Sequence, residues 1–207
     1  MNSSIAGPKP QLMTDLGIAG CFSWENEAAF LADALQIVQP KSILETGFFA
    51  GASAFMNLYL SDACVTSVDP MENLYDPSVK HDGNLGNVDK LKVAFPGRFT
   101  FLRKDSKVVR PDLAGQNFDL MFIDGDHWEI GARNDFQLAI DLNIPWILVD
   151  DFVTSVAEIY VKEFQHEFFP VRIYPRKDQF MGKPIPIVLL KRFNHKVSAR
   201  LNGANAR

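Results

Sequence analysis

Two apolar runs of the chain end abruptly in acidic side chains. The first run, residues 121–123, is followed directly by Asp124, Gly125, Asp126 and His127. The second run, residues 146–149, is followed by Asp150 and Asp151. A solvated loop would account for charge, but not for charge at the tip of each apolar run. Carboxylates and an imidazole placed there are typical of a catalytic or metal-binding site.

Hydrophobic periodicity predicts the elements that must position these side chains. Strands are predicted at 42–45, 65–69, 99–102, 118–124 and 146–150, and helices at 24–38, 52–60, 85–95, 128–142 and 152–166. Ser23 is the predicted N-cap of the first helix, and Pro40 follows its end. Two strand-like runs, 168–175 and 185–193, then follow with only a polar loop between them. This order predicts an α/β fold: a mostly parallel seven-stranded sheet with an antiparallel last strand and helices on both faces.

The carboxyl ends of neighbouring parallel strands meet at one edge of a sheet, where ligands bind. Asp150 follows Asp124 by 26 residues, enough for one helical crossover. Asp124, Asp150 and Asp151 are therefore expected to converge, and like charges at short range raise each other's pKa unless a cation neutralises them. Oxygen ligands suit Mg²⁺, or Mn²⁺ and Ca²⁺, rather than zinc. Such an ion would also lower the pKa of a substrate hydroxyl.

Simpler roles exist for two of these acids. Asp126 is placed to be the N-cap of the predicted helix 128–142, and Asp151 is placed to cap the helix after it. The sequence leaves both alternatives open.

A second group of candidate residues follows the strands at 42–45 and 65–69. Gly47 permits a sharp turn, and Gly51 lets the next helix begin tightly packed. The segment is neither G-x-G-x-x-G nor a Walker loop, and Glu45 would suit a cation or an ammonium better than a phosphate. Asp69 follows Glu45 by 24 residues, close to the spacing of about 20 at which an acid meets ribose hydroxyls.

With these residues, the segment ETGFFAGAS resembles motif I of the class I S-adenosylmethionine-dependent methyltransferases, and VTSVDP resembles their second motif. The resemblance implies a Rossmann-like methyltransferase fold over roughly residues 25–192. It also implies that the cofactor S-adenosylmethionine contacts Glu45, Gly47, Gly51, Ser53, Asp69, Asp105, Ser106 and Trp128. Glu45 and Gly47 would line its aminoacyl end, Asp69 would bind the ribose, and Asp105 and Ser106 would lie at the adenine. Trp128 would either stack on the adenine or pack against the sheet.

The segments FIDGDH and VDDF are similar to those of the metal-dependent O-methyltransferases of the catechol and sugar-tailoring types. This resemblance implies that Asp124, Asp150 and Asp151 hold a divalent cation. It implies a catalytic base at either His127 or Asp126. We favour His127 because a neutral imidazole is the better base near neutral pH, with Asp126 as its supporting partner.

Composition bounds the remaining expectations. The net charge of −4 argues against a nucleic-acid partner. With neither a signal-peptide pattern nor a long apolar run, we predict a cytoplasmic enzyme without a membrane partner. The two cysteines, Cys21 and Cys64, are expected to be free, buried thiols. We expect an N-terminal arm at 1–22, one methyltransferase domain at 23–193 and a polar, flexible tail at 194–207.

The acceptor is expected to be a small molecule or sugar, but the segments expected to select it, 1–22, 71–84 and 175–184, carry no readable code. His81, in the second of these, is favoured as a solvated loop residue. A homodimer is expected only because dimers are common among soluble proteins, and no sequence feature indicates it. The alternatives are a metal-independent N- or C-methyltransferase, a nicotinamide-dependent dehydrogenase, which the missing glycine motif disfavours, and a non-catalytic binding protein.

Overall fold

The computed structural model describes residues 7–18, 24–72, 81–180 and 183–193. Its strands are β1 (Ser42–Thr46), β2 (Cys64–Val68), β3 (Phe99–Leu102), β4 (Leu120–Ile123), β5 (Trp146–Val149), β6 (Phe168–Phe180) and β7 (Lys183–Arg192). Its α-helices are α1 (Gln11–Asp15), α2 (Trp24–Val38), α3 (Ala52–Leu60), α4 (Leu85–Ala94), α5 (Glu129–Asp141) and α6 (Thr154–Ile159). A π-helical segment, Tyr160–Phe164, continues α6, and 3-10 turns occupy Asp82–Asn84 and Arg110–Leu113.

All seven strands form one sheet in the order β3-β2-β1-β4-β5-β7-β6. The pairs among β1 to β5 are parallel, and β7 runs antiparallel to both β5 and β6. This confirms the predicted Rossmann-like fold class. The strand order reverses direction between β1 and β4, so the carboxyl ends of these two strands form the switch point at which such sheets bind ligands.

Two hydrophobic clusters, one on each face of the sheet, explain why the central strands read as continuous apolar runs. All four residues of β4 are buried. Leu120 and Phe122 pack with residues of α2, α3 and α4, whereas Met121 and Ile123 pack with residues of α5 and α6. Because successive side chains of a strand point to opposite faces, a strand covered on both faces needs apolar residues at every position.

The predicted elements exist, but several of their ends differ. β4 and β5 end at Ile123 and Val149, so the acids that follow them lie in loops and not in the strands. The predicted helix 152–166 begins only at Thr154 and changes to π-helix at Tyr160.

The prediction of a polar loop between the last two strands is wrong, because most of that segment belongs to the strands themselves. β6 and β7 remain paired as far as Phe180 and Lys183. Backbone pairing, which does not require apolar side chains, extends the hairpin through this polar stretch. Two register shifts, between Pro170 and Arg172 and between Pro175 and Gln179, interrupt the ladder.

The amino-terminal segment packs on the core. Met13 and Ile18 are each only 2 % exposed and belong to the cluster formed with α2 and α3. Cys64 is a free thiol but is exposed, contrary to the prediction, because it is the first residue of β2, at the amino edge of the sheet. Ser23, Cys21, the tail 194–207 and most of the segment 71–84 lie outside the described residues. No helix within the described ranges has the length and apolar character needed to cross a membrane.

Candidate active site

Backbone hydrogen bonds continue one residue beyond four neighbouring strands and align the residues that follow them. The amide of Gly47 donates to the carbonyl of Val68, and that of Asp69 donates to Leu102, at 3.0 and 3.2 Å. On the other side of the switch point, the amide of Asp124 donates to Thr46 and that of Asp150 donates to Ile123, each at 2.9 Å. Gly47, Asp69, Asp124 and Asp150 therefore lie in one row along the carboxyl edge of the sheet.

A cavity of about 590 Å³ opens over this row. Most of the predicted site residues line it, namely Gly47, Ser53, Asp69, Asp105, Ser106, Asp124, Asp126, His127, Asp150 and Asp151. Its volume is in the range of small-molecule and cofactor sites. The structure thus brings both groups of sequence-predicted residues to one cavity.

Three predicted cofactor residues, all in the described part of the chain, lie outside the cavity lining. Glu45 is fully buried beneath it. Gly51 immediately precedes α3 and lies against the ring of Phe48. Trp128 is the N-cap residue of α5 and is 60 % exposed, so it does not pack against the sheet as one alternative held.

Glu45 is a buried acid whose carboxyl group is incompletely hydrogen-bonded. The Ser67 hydroxyl donates to Oε2, while Oε1 has no hydrogen-bond partner among the described residues. Burial raises the pKa of Glu45 to about 7, against hydrogen bonds from Ser53 and Ser67 that lower it. Glu45 therefore supplies a buried, readily protonated carboxyl below the row of strand ends.

Asp69 organises the loop that follows β1. Its Oδ2 accepts the backbone N–H groups of Phe48 and Phe49 at 2.7 and 2.8 Å, and its Oδ1 accepts that of Met71 at 2.5 Å. A carboxylate offers about four acceptor positions, so these three bonds leave Asp69 about one position for a ribose hydroxyl. Asp69 thus fixes strained backbone in two loops: Phe49, after β1, and Met71, after β2, have φ values of 45° and 60°.

An acidic cluster and an imidazole form the opposite wall of the cavity. Nε2 of His127 lies 3.8 Å from Oδ1 of Asp124 and 3.7 Å from Oδ2 of Asp151. The carboxyl groups of Asp124 and Asp150 hydrogen-bond to each other. Burial, followed by the negative charges of Asp150, Glu45 and Asp151, raises the pKa of Asp124 well above its usual range. The expected convergence of these acids is therefore present.

The helix-capping alternatives are only partly realised. The N-cap of α5 is Trp128 rather than Asp126, but Oδ1 of Asp126 accepts the Trp128 N–H at 2.9 Å and fixes the turn into the helix. The same side chain packs against Gly131, where an added Cβ would lie 2.2 Å from Cβ of Asp126. Asp151 is not the N-cap of α6, because that helix begins at Thr154 and its N-cap is Val153, two residues beyond Asp151.

Oxygen donors of the kind that bind Mg²⁺ are present at this wall. Among the residues that the structure describes, however, no group of three or more acidic, His or Cys side chains is arranged to hold a metal ion. The donor chemistry therefore fits a divalent cation, whereas the conformation of the side chains does not by itself form the site.

Sequence reasoning missed several residues at the cavity. Phe49 is 43 % exposed and meets the ring of His81 edge-on, with ring centroids 5.1 Å apart. His81 lines the cavity, which corrects its interpretation as a solvated loop residue, and Lys107 lines it as well. No local pattern marks these residues, because loop folding brings them to the cavity rather than strand register.

We predict that Gly47→Ala destabilises the fold and closes the site. Gly47 has a φ of 90°, and an added Cβ would lie 2.1 Å from the carbonyl oxygen of Asp124. The strain and the clash with backbone should lower the free energy of unfolding by at least about 2 kcal/mol in urea titrations. Gly86→Ala is the control, since no atom lies within 4 Å of its added Cβ. Equal stability of the two variants would contradict the prediction.

The raised pKa of Glu45 predicts a pH-dependent stability. A group whose pKa rises from 4.5 in the unfolded chain to about 7 in the fold contributes stability below pH 4.5 that is lost as the pH rises through about 7. Glu45→Gln lacks this loss and should gain on the wild type by up to about 3 kcal/mol across that window. Urea unfolding at several pH values measures the difference. The exposed control Glu25→Gln should show none, and a pH-independent difference for Glu45→Gln would refute the assignment.

Comparison with known proteins agrees with this geometry. Solved structures share the fold at low sequence identity. An O-methyltransferase from Bacillus cereus in complex with SAH is 16% identical, with a TM-score of 0.67 over 92% of this chain and 94% of the other. Cofactor-bound Rv0187 from MTB is 17% identical, with a TM-score of 0.67 over 92% and 93% of the two chains. The O-methyltransferase TomG from Streptomyces achromogenes, in complex with SAM, is 13% identical, with a TM-score of 0.62 over 89% and 87%.

No curated protein sequence matches the chain. The family model described as a methyltransferase domain matches residues 44–152, which run from β1 to just beyond β5 and include the whole row of strand ends. The match covers more than half of the chain, confirms the predicted resemblance and removes the dehydrogenase alternative. The chain belongs to the methyltransferase-domain family.

Proposed function

We propose that the protein is an S-adenosylmethionine-dependent O-methyltransferase that acts on a small hydroxylated molecule. The observation that carries the proposal is the shared cavity: the loop after β1 and Asp69 lie on one side, and His127 with its neighbouring carboxylates lies on the other. A methyl donor and a proton acceptor are both required for transfer to oxygen. The cavity of about 590 Å³ is of a size for small ligands.

In this mechanism the acceptor oxygen attacks the methyl carbon in line with the sulfonium. The carbon–oxygen bond forms as the carbon–sulfur bond breaks, and S-adenosylhomocysteine leaves. His127 takes the hydroxyl proton, and Asp124 and Asp151, both within 4 Å of its Nε2, would stabilise the imidazolium that results. Asp126 supports the imidazole by fixing the turn that carries it. The rate gain would come from orientation and electrostatics.

A divalent cation, Mg²⁺ by preference, is part of the proposal. Its support is electrostatic: burial first, and then the neighbouring carboxylates, raise the pKa of Asp124, and a cation would relieve the repulsion among these carboxylates. Asp124, Asp150 and Asp151 would hold it, after small rotations of their side chains. When bound, it would lower the pKa of the acceptor hydroxyl.

A metal-independent methyltransferase acting on nitrogen or carbon is the second candidate. The observation that favours it is that the described side chains, as they stand, form no metal-binding group. In that case a proton shared between Asp124 and Asp150 would relieve the repulsion between their carboxyl groups. For either candidate we propose a cytoplasmic enzyme. A homodimer is proposed only on the general frequency of dimers.

We predict that His127→Gln lowers kcat by at least about 100-fold while the SAH dissociation constant changes by less than about threefold, since the variant loses the proton acceptor. Asp126→Asn should leave turnover and stability largely unchanged, because the amide oxygen of Asn can still accept the Trp128 N–H. SAH formation from SAM with a panel of catechols and sugars measures turnover, and His166→Gln, at an exposed position, is the control. If Asp126→Asn were inactive and His127→Gln active, the base would be Asp126.

We also predict that EDTA-treated protein binds one Mn²⁺, measured by electron paramagnetic resonance of the free ion. Asp124→Asn and Asp150→Asn should each weaken this binding by at least about tenfold, because each removes a negative oxygen donor. Asp89→Asn, an exposed residue of α4, should not change it. Absence of binding to the wild type would contradict the prediction and favour the metal-independent candidate.

A further inference from the structure

Asp135 is a buried acid that neither group of sequence motifs includes. It lies on α5, is 1 % exposed and sits just beneath the cavity, outside its lining. An acid on the inner face of a helix needs a reason, because removing a carboxylate from water is costly unless its partners compensate.

The partners of Asp135 come from two separate walls of the cavity. The Thr46 hydroxyl, at the end of β1, donates to its Oδ2 at 2.8 Å. The Ser106 hydroxyl, in the loop after β3, lies beside this carboxyl group and is linked to it through Asn134. Nδ2 of Asn134 contacts both sides, donating to Oδ1 of Asp135 at 3.2 Å and to the Ser106 hydroxyl at 3.1 Å. Thr46 and Ser106 both line the cavity.

A third wall approaches the same carboxyl group. An added Cβ at Gly125, in the loop after β4, would lie 3.5 Å from Oδ2 of Asp135. The Asp135 side chain therefore bonds to the end of β1, is linked through Asn134 to the loop after β3, and lies close to the loop after β4. These three segments surround the space between the predicted adenine side, at Ser106, and the reacting side, at Asp124.

The chemistry of these contacts is unusual for a purely structural acid. Thr46, Asn134 and Ser106, the polar groups around the carboxyl group, carry no positive charge. Burial raises the pKa of Asp135 to about 6, although the bonds from Ser106, Thr46 and Asn134 lower it. An apolar residue at this position would avoid the cost of desolvation but could not hold two hydroxyl groups in fixed directions.

We infer that Asp135 is a positioning residue that fixes Thr46 and Ser106 relative to each other and thereby sets the shape, and the affinity, of the pocket for the adenosyl cofactor. The inference rests on the proposed function for the identity of the ligand. Its structural part, the coupling of two loops through one carboxyl group, is independent of that identity.

The test compares Asp135→Ala and Asp135→Asn with the wild type and with Asp141→Ala. Asp141 is on the same helix but pairs with Arg110 away from the cavity, at 2.8 Å. SAH affinity is measured by calorimetry, and amide hydrogen exchange is followed in the segments 44–50 and 103–108, with α4 as internal reference. Asp135→Ala should bind SAH at least about tenfold more weakly and exchange faster in both segments. Asp135→Asn, which can still accept the Thr46 bond, should recover most of the affinity.

A merely structural role would give a different result. It would lower thermal stability and speed amide exchange throughout the chain, while the folded protein kept its SAH affinity within about twofold. Retained SAH affinity, or faster exchange that is not confined to the segments 44–50 and 103–108, would overturn the inference. If Asp135→Ala does not fold, a double-mutant cycle of Thr46→Val with Asn134→Ala decides, because Asn134 links Asp135 to Ser106 and additive effects on exchange in segment 103–108 would refute the coupling. Failure of the wild type to bind SAH would contradict the proposed function, whereas the exchange data would still decide the role of Asp135.

Discussion

The close contact between the backbones of Gly47 and Asp124 is the constraint on which the site depends. It occurs where β1 and β4 lie side by side and the strand order reverses, and there is no room for a side chain at position 47. Because the two backbones are this close, the amide of Asp124 can donate to the carbonyl of Thr46, which extends the sheet by one residue. The acid that follows β4 and the loop that follows β1 then face the same cavity. A looser contact would separate the cofactor side from the reacting side.

Buried carboxyl groups at and beneath the cavity make this region acidic and costly to fold. Glu45, Asp124 and Asp135 all have raised pKa values, and burial is the largest cause in each case. Their hydrogen bonds go to hydroxyl groups, an amide and other acids, so the charge is not neutralised within this group. Buried acids with raised pKa values mark candidate functional sites, and all three lie within the residues that the methyltransferase-domain family model matches. Asp69 differs, since three backbone N–H groups satisfy it and its effect is to shape a loop.

Sequence reasoning predicted the sheet and the row of acids because both follow from local signals. Alternating strands and helices determine a parallel sheet, and register alone then brings Asp69, Asp124 and Asp150 to one edge. The roles of Glu45 and Trp128 could not be read in the same way. Glu45 is only one residue before the end of β1, so its side chain points into the core, and Trp128 is carried outward by the turn that Asp126 fixes. The role of Asp135 could not be predicted from sequence, because Thr46 and Ser106, the residues that it links, are distant from it in the chain.

Calorimetric titration of S-adenosylhomocysteine into the purified, EDTA-treated wild-type protein tests the central claim most directly. Chelation removes the question of the cation, so the heat reports on the row of strand ends and the loop held by Asp69. One-to-one binding with a micromolar dissociation constant is the result that our account predicts. Absence of binding at millimolar ligand would contradict it, and the cavity over β1 and β4 would then need a different ligand.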